Sequence, residues 1–160
     1  MKKILVSACL LGNKVRYNGS CLSISESDLK WLNANFELVA ICPEVSSGLT
    51  TPRAPAEIIG GEGNDVIGGS ASVVGNDGID VTNQFLVGAR NALEICHQQN
   101  IKYAILAEAS PSCGSSNIYD GSFQGIKVDG SGVTAALLEA NEVRVFSQHS
   151  ISMLRELLHK

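Results

Sequence analysis

The sequence predicts an α/β fold in which a mostly parallel sheet lies between two layers of helices. Three observations support this fold class. Four short apolar runs typical of buried strands are spread along the chain, and helical patterns with one apolar face alternate with them. The 160 residues, 44% of them hydrophobic, are enough for one globular domain with its own core. We therefore expect a single Rossmann-like three-layer sandwich over residues 1–160.

The first half of the chain contains two strand patterns, one helix start and a glycine-rich segment. Lys3–Ser7 and Phe36–Ile41 are short apolar runs, and Ser27 and Asp28 between them mark the start of a short helix. The glycine-rich segment, Gly60–Gly78, does not place a G-x-G-x-x-G pattern between a strand and a helix, and no helical pattern begins there. We therefore expect a β-hairpin or an excursion whose glycines form turns, rather than a nucleotide-phosphate loop.

The second half alternates more regularly between helix and strand. The longest helical pattern begins after Asp80, and its apolar face consists of residues spaced three and four apart: Phe85, Leu86, Ala89, Ala92, Leu93 and Cys96. Lys102–Leu106 and Val143–Phe146 are the third and fourth predicted strands. A helix is expected after Gly132, and a final amphipathic helix over Ile151–Leu158.

Charge and composition exclude several classes of function. A net charge of −4 and an aromatic content of 5% argue against binding to a nucleic-acid backbone or stacking on exposed bases. No apolar run approaches the roughly 20 residues that a membrane span needs. Val6-Ser-Ala-Cys9 resembles a lipoprotein cleavage box, but it lacks the apolar stretch of about 7–15 residues that export requires. We therefore expect a cytoplasmic protein with reduced thiols.

Three of the five cysteines share one placement along the chain. Cys9 follows the first predicted strand directly, Cys42 follows the second, and Cys113 comes shortly after the third. Because the carboxyl ends of parallel strands meet at one edge of a sheet, we expect these three thiols to lie close together. Proline and glycine beside each of them suit loops whose backbone approaches a bound group.

The remaining metal-binding residue types do not join this set. Cys96 lies on an apolar helix face and is expected to be a buried hydrophobe, and Cys21 is left unassigned. The three histidines, His97, His149 and His159, fall in or beside late helical segments. A structural zinc site normally needs a fourth protein ligand, whereas three thiolates suit an iron–sulfur cluster with one open iron.

A string of motifs then identifies a family. In order along the chain they are Val6-Ser-Ala-Cys9-Leu-Leu-Gly12, Arg16-Tyr-Asn-Gly19, Cys42-Pro-Glu44, Gly48-Leu-Thr-Thr-Pro-Arg53, Pro55-Ala-Glu57, Ser110-Pro-Ser-Cys-Gly114, Ile118-Tyr-Asp-Gly121 and Gly132-Val-Thr-Ala-Ala-Leu-Leu138. This order resembles that of the 2-thiouracil desulfurases, a bacterial family long known as a domain of unknown function. The chain looks like the short, single-domain form, and the match runs from the first strand to Phe146.

The resemblance implies a 4Fe–4S cluster held by Cys9, Cys42 and Cys113, with the fourth iron free to take the sulfur of a thiocarbonyl. The implied reaction is a non-redox desulfuration in which 2-thiouracil and water give uracil and sulfide. An open thiophilic Lewis acid is suited to C=S cleavage, so the coordination argument agrees with the resemblance. An exposed cluster of this kind can be lost to oxygen during aerobic preparation.

The resemblance also implies two catalytic side chains. Glu44 matches the family's acidic position and would activate the attacking water, although it could instead only cap a loop. Ser110 matches the serine ahead of the third ligand and would relay a proton or bind the substrate ring, unless it only shapes the turn before Pro111. Arg53 is a substrate anchor or a structural anchor, and it could pair with Glu57.

The chain departs from the family at three positions. Relatives often have aspartate where Asn18 stands, cysteine where Val15 stands and lysine where Ala107 stands. None of these changes removes a proposed ligand, but they bear on the substrate because a charge at the edge of the pocket is lost. A fold and cluster of this kind can also host other sulfur chemistry.

Two other classes compete with the desulfurase. A small cytosolic module would hold zinc or a cluster through the same three thiols without catalysis. A thiol-based transferase would use Cys9 or Cys113 as its nucleophile, but no histidine base is near either in the predicted fold. Release of sulfide from a thiolated pyrimidine distinguishes the desulfurase from both.

Overall fold

The computed structural model describes residues 1–20 and 22–159. In chain order its strands and helices are β1 (Lys2–Ser7), α1 (Glu26–Asn35), β2 (Phe36–Ile41), α2 (Pro43–Ser46), β3 (Ala56–Ile59), α3 (Gly63–Gly68), β4 (Ser72–Gly75), α4 (Thr82–Gln98), β5 (Tyr103–Ile105), β6 (Asn117–Tyr119), β7 (Lys127–Asp129), α5 (Val133–Ala140), β8 (Arg144–Phe146) and α6 (Ile151–Leu158). A 3-10 helix over Ala8–Leu10 follows β1 directly. Within the described ranges, none of the helices is both long enough and apolar enough to span a bilayer.

The central sheet has four strands in the order β2-β1-β5-β8, and every neighbouring pair is parallel. These are the four strands that the apolar runs predicted, each within one residue of its expected bounds at either end. Helices flank the sheet, which confirms the predicted Rossmann-like α/β sandwich. The chain runs from β1 to β2 on one side of the sheet and later to β5 and β8 on the other, so a topological switch point lies between β1 and β5. Open α/β sheets form their ligand crevice at such a point.

β1 is one of the two central strands of the sheet, and its side chains are buried accordingly. Ile4, Leu5 and Val6 are fully buried, as expected for a strand with neighbours on both sides and helices on both faces. Burying each of these side chains stabilises the fold by about 1.5–3 kcal/mol. Ser7 at the end of β1 is also buried, and its Oγ accepts a hydrogen bond of 3.0 Å from the amide of Ala107, which links the ends of β1 and β5.

Helix α4 presents the predicted apolar face to the core. Phe85, Ala89, Ala92 and Cys96 are all buried in it. Gly88 lies on the same helix where it contacts the start of α2, and a Cβ at this position would collide with the carbonyl oxygen of Pro43. The absence of a side chain at Gly88 therefore allows α4 to support the short helix that follows Cys42.

We expect Gly88→Ala to lower the free energy of unfolding by about 1–3 kcal/mol through overpacking against Pro43, although alanine gains about 1 kcal/mol in helix propensity. Gly68→Ala is the matched control, because a Cβ at Gly68 meets nothing within 4 Å, and it should be neutral or slightly stabilising. Thermal or urea unfolding of both variants measures the difference. Equal stabilities for the two variants would contradict the proposed contact.

β3 ends directly before the glycine-rich segment and pairs antiparallel with β4 inside it, which is the expected excursion between antiparallel strands. The expectation that no helix begins in this segment was wrong, since α3 lies between the two strands. Glu62 is the N-cap of α3 and forms a reciprocal capping box with Asp65, a start signal that glutamate gives less often than serine or aspartate. The amide of Gly63 donates to the carbonyl of Ser131, so this N-terminal amide of the helix is already hydrogen-bonded within the protein.

A strand pair and a short helix were not expected from the sequence. Strands β6 and β7 form an antiparallel pair of three residues each, and α2 is a single turn that begins at Pro43. Both are too short to produce a recognisable periodic pattern. They matter because α2 follows Cys42 and the β6–β7 pair follows Cys113.

Candidate active site

A cavity of about 620 Å³ opens at the carboxyl edge of the parallel sheet. Its wall includes all five residues that the sequence singled out for cofactor binding or catalysis: Cys9, Cys42, Glu44, Ser110 and Cys113. It lies where β1, β2 and β5 end, next to the topological switch point between β1 and β5. The tertiary structure therefore brings together residues as far apart in the chain as Cys9 and Cys113.

Each cysteine is held by a different local structure. Cys9 lies in the 3-10 turn after β1, and its carbonyl accepts a hydrogen bond of 2.9 Å from the amide of Leu22. Cys42 is the N-cap residue of α2, where Pro43 fixes the first helical turn. Cys113 lies in the loop between β5 and β6 and is buried.

The three thiols influence one another electrostatically. Burial raises the pKa of Cys9 to about 11, and the neighbouring charge of Cys42 adds to this effect. Burial also raises the pKa of Cys113, against a hydrogen bond from Ser7 that lowers it, and the charges of Cys9 and Cys42 raise it further. The pKa of Cys42 is likewise raised, chiefly by burial. The free thiols are therefore protonated near neutral pH, and a bound metal centre must displace these protons.

This donor set fits an iron–sulfur cluster. The three residues are free thiols on one cavity wall, and soft thiolates are the ligands that such clusters take. None of the three histidines lines the cavity. Over residues 1–20 and 22–159, no group of three or more His, Cys, Asp or Glu side chains meets the geometry of a single-ion site.

Glu44 is paired with Arg53 inside this cavity. The Nε and Nη2 atoms of Arg53 lie 2.7 Å and 2.6 Å from the same carboxylate oxygen, Oε2 of Glu44. The two side chains are only 10% and 14% exposed. This contact answers the question that the sequence left open, because the partner of Arg53 is Glu44 and not Glu57. Oε1 of Glu57 instead accepts hydrogen bonds from the amides of Gly121 and Phe123.

The remaining donors of Arg53 tie two loops to Glu44. Nη1 donates to the carbonyl of Thr50 and to Oγ1 of Thr51, and Nη2 donates to the carbonyl of Val15. All three guanidinium nitrogens are therefore engaged, which fixes the planar group in one orientation. The Sγ of Cys42 also approaches the Val15 carbonyl, at 3.9 Å. Arg53 thus holds both the carboxylate and the backbone beside a candidate ligand.

Ser110 shapes the turn that presents Cys113. Its Oγ accepts hydrogen bonds from the amides of Ser112 at 3.1 Å and of Cys113 at 3.2 Å. The loop packs tightly against the start of α5, because a Cβ at Gly132 would collide with the backbone of Ser112. Since Oγ acts as the acceptor in both hydrogen bonds, the hydroxyl proton is available to a group in the cavity.

The structure also places the positions at which the chain departs from the family. Val15 and Ala107 line the cavity, so these two differences change its wall directly. Asn18 is not among the lining residues, and its Oδ1 accepts from the amide and hydroxyl of Ser20 within a turn. Of the two cysteines outside the proposed ligand set, Cys96 is buried in α4 away from the cavity, and Cys21 lies outside the described residues.

One cavity residue was missed by the sequence reasoning. Glu108 follows β5 and lies on the cavity wall, with its carboxylate surrounded by donors from the loop that contains Cys113. Its sequence neighbours are alanines, so no motif drew attention to it. The available signal was an acidic residue shortly after a buried strand, at the edge where ligand sites form.

Three free thiols lie together at the switch point of this α/β sandwich, beside a paired carboxylate and a serine. This arrangement is typical of proteins that bind a metal centre through cysteine thiolates. The model of the 2-thiouracil desulfurase family matches residues 4–150, and the chain belongs to that family. Among curated proteins it is 46% identical over 149 residues to the uncharacterized protein YbbK of Bacillus subtilis (strain 168), covering 93% of this chain and 97% of YbbK. Among solved structures it is similar to the 4Fe–4S-dependent thiouracil desulfidase TudS, with a TM-score of 0.87, 44% identity and 99% of both chains covered. The resemblance drawn from the motifs is thereby confirmed.

Proposed function

We propose that the protein is a 4Fe–4S-dependent desulfurase that converts 2-thiouracil, or a similar thiocarbonyl compound, to its oxo form and sulfide. The observation that supports this most directly is the arrangement of three free thiols, a paired carboxylate and a serine around one cavity. Membership of the 2-thiouracil desulfurase family and similarity to the thiouracil desulfidase TudS support the same reaction.

The proposed ligands are Cys9, Cys42 and Cys113, which come after the ends of three different strands, β1, β2 and β5. When bound, the cluster would supply a thiophilic Lewis acid that draws electron density from the C=S bond. The reaction balances without an electron donor or acceptor, because the oxygen of water replaces the sulfur and both hydrogens of water are left for the sulfide.

Glu44 is the proposed general base. Arg53 engages Oε2, and among the described residues no hydrogen bond reaches Oε1, so that oxygen is left to accept a proton from water in the cavity. The water oxygen then attacks the carbon of the thiocarbonyl, and the proton held by Glu44 is passed on to the departing sulfur. Arg53 acts as a positioning residue, because its contacts with two loops keep the carboxylate in one orientation.

Ser110 is proposed to bind the substrate ring or relay a proton through its free hydroxyl proton while its oxygen holds the Cys113 turn. We expect Ser110→Ala to keep its iron and to lose about tenfold in turnover, since each lost hydrogen bond costs about 0.5–1.5 kcal/mol and 1.36 kcal/mol corresponds to tenfold in rate. Ser110→Thr retains the hydroxyl and is the matched control, with turnover close to that of the wild type. A loss in Ser110→Ala as large as that of a missing general base would contradict a supporting role.

The proposed setting is the cytoplasm, where reducing conditions keep the thiols of Cys9, Cys42 and Cys113 free. The proposed partner is a small thiolated base and not a nucleic acid, because the net charge of −4 disfavours contact with a phosphate backbone.

The decisive experiment reconstitutes the protein anaerobically and measures iron, acid-labile sulfide and visible absorbance, followed by sulfide and uracil release from 2-thiouracil. Equal amounts of uracil and sulfide without added reductant are expected. A full cluster with no sulfide release from thiolated pyrimidines would overturn the proposed activity and would favour a cluster-binding module instead.

A further inference from the structure

The carboxylate of Glu108 is the acceptor of an unusually dense set of hydrogen bonds. Oε1 accepts from four backbone amides, at 2.9–3.2 Å: those of Ala109, Ser115, Ser116 and Asn117. Oε2 accepts from two hydroxyls, those of Ser115 at 3.2 Å and Ser116 at 2.7 Å. Hydrogen bonds to an ionised carboxylate are stronger than those between neutral groups.

All of these donors belong to the segment that contains Cys113. Ala109 precedes the cysteine, and Ser115, Ser116 and Asn117 follow it, so one carboxylate holds both ends of the loop. The amide of Glu108 donates to Oε1 of Gln148 at 3.0 Å, which anchors this residue to the segment between β8 and α6. The side chain of Glu108 thus holds the two ends of the Cys113 loop together through hydrogen bonds.

The protonation state of Glu108 agrees with this arrangement. Burial alone would raise the pKa of Glu108, but the hydrogen bonds from Ser116 and the backbone amides outweigh burial and lower the pKa. The group is therefore ionised at neutral pH and acts only as an acceptor. Ser110 and the close packing at Gly132 fix the middle of the same loop, and Glu108 joins its two ends.

We infer that Glu108 is a positioning residue for Cys113, whose carboxylate holds the loop in the conformation that presents this thiol to the cavity. The inference rests on the proposed function, in which Cys113 is a cluster ligand. Partners that orient a metal ligand affect retention of the metal centre as well as catalysis, so iron retention is the property that Glu108 controls.

The test compares the anaerobically reconstituted wild type with Glu108→Ala, Glu108→Gln and Glu57→Ala. Iron loss to bathophenanthroline disulfonate is followed by absorbance, and the cluster of each protein is examined by electron paramagnetic resonance after reduction. We expect Glu108→Ala to release iron about 10–100-fold faster than the wild type, with an altered spectrum. Glu108→Gln, whose amide oxygen can still accept from the four amides, should restore most of the retention. Glu57→Ala frees a loop without a cysteine and should retain iron like the wild type.

Unchanged iron release and an unchanged spectrum in folded Glu108→Ala would overturn the inference and leave the proposed function intact. If Glu108→Ala does not fold, the double variant Ser115→Ala/Ser116→Ala decides, because it removes only the two hydroxyl donors to Oε2. Iron release several-fold faster than in the wild type supports the inference, and an equal rate overturns it. A wild type that binds no cluster would overturn the proposed function itself, and the inference with it.

Discussion

Cys42→Ser is expected to abolish both iron binding and turnover. The hydroxyl of serine is a hard and weakly acidic group that replaces a thiolate poorly on a soft metal centre. The remaining two cysteines cannot compensate, because each follows a different element and lies on its own part of the cavity wall. We expect more than about a 100-fold loss of turnover, beyond the 10–100-fold that the loss of an outer partner of a ligand typically costs.

Iron content, visible absorbance and sulfide release after anaerobic reconstitution measure this effect. Cys96→Ala is the matched control, since Cys96 is also a buried thiol but lies in α4 away from the cavity. This variant should keep iron and activity and lose only stability. If Cys42→Ser retained a full cluster, Cys42 would have to be removed from the proposed ligand set.

Glu44→Gln is expected to keep its iron and lose most of its turnover. The amide preserves the shape of the side chain, and its oxygen can still accept from Arg53. An amide does not take a proton from water, so the contribution of a general base, typically 10²–10⁴-fold or about 3–5 kcal/mol of barrier, should be lost. The combination of intact cluster and slow turnover separates a catalytic residue from a ligand.

The assay is sulfide release from 2-thiouracil at matched iron content. Glu94→Gln provides the control, because it makes the same change on the exposed side of α4 and should leave turnover unaltered. Turnover like that of the wild type in Glu44→Gln would exclude the general-base role. The carboxylate would then have only the structural role of pairing with Arg53.

Most of the sheet could be predicted because its strands produce strong local signals. The strand Phe36–Ile41 is a short run in which Glu37 is the one polar residue, and α4 repeats apolar residues at helical spacing for about three turns. Short elements without a continuous apolar run were missed or misjudged, as with α3 and the β6–β7 pair, because so few residues do not define a period. For α3 the start signal was also an uncommon one, a glutamate N-cap.

For the candidate site, too, the sequence predicted one part and left another part untested. The placement of Cys9, Cys42 and Cys113 at one cavity was expected from the sequence, since parallel strands bring their carboxyl ends to one edge and each cysteine follows such an end. The motifs around them predicted the family, which the family model and the structural similarity to TudS confirm. Their roles as ligands, and those of Glu44 and Ser110 as catalytic groups, stay predictions.

The sequence by itself therefore determined the fold class, the family and the set of thiols at the sheet edge, because each depends on residue types and on their order along the chain. Only the tertiary structure decided that Arg53 pairs with Glu44 and not with Glu57. It alone also showed Glu108 closing the loop around Cys113. Both results depend on which side chains and amides meet within about 3 Å, a distance set by loop conformation and packing between separate segments and by no local pattern of residues.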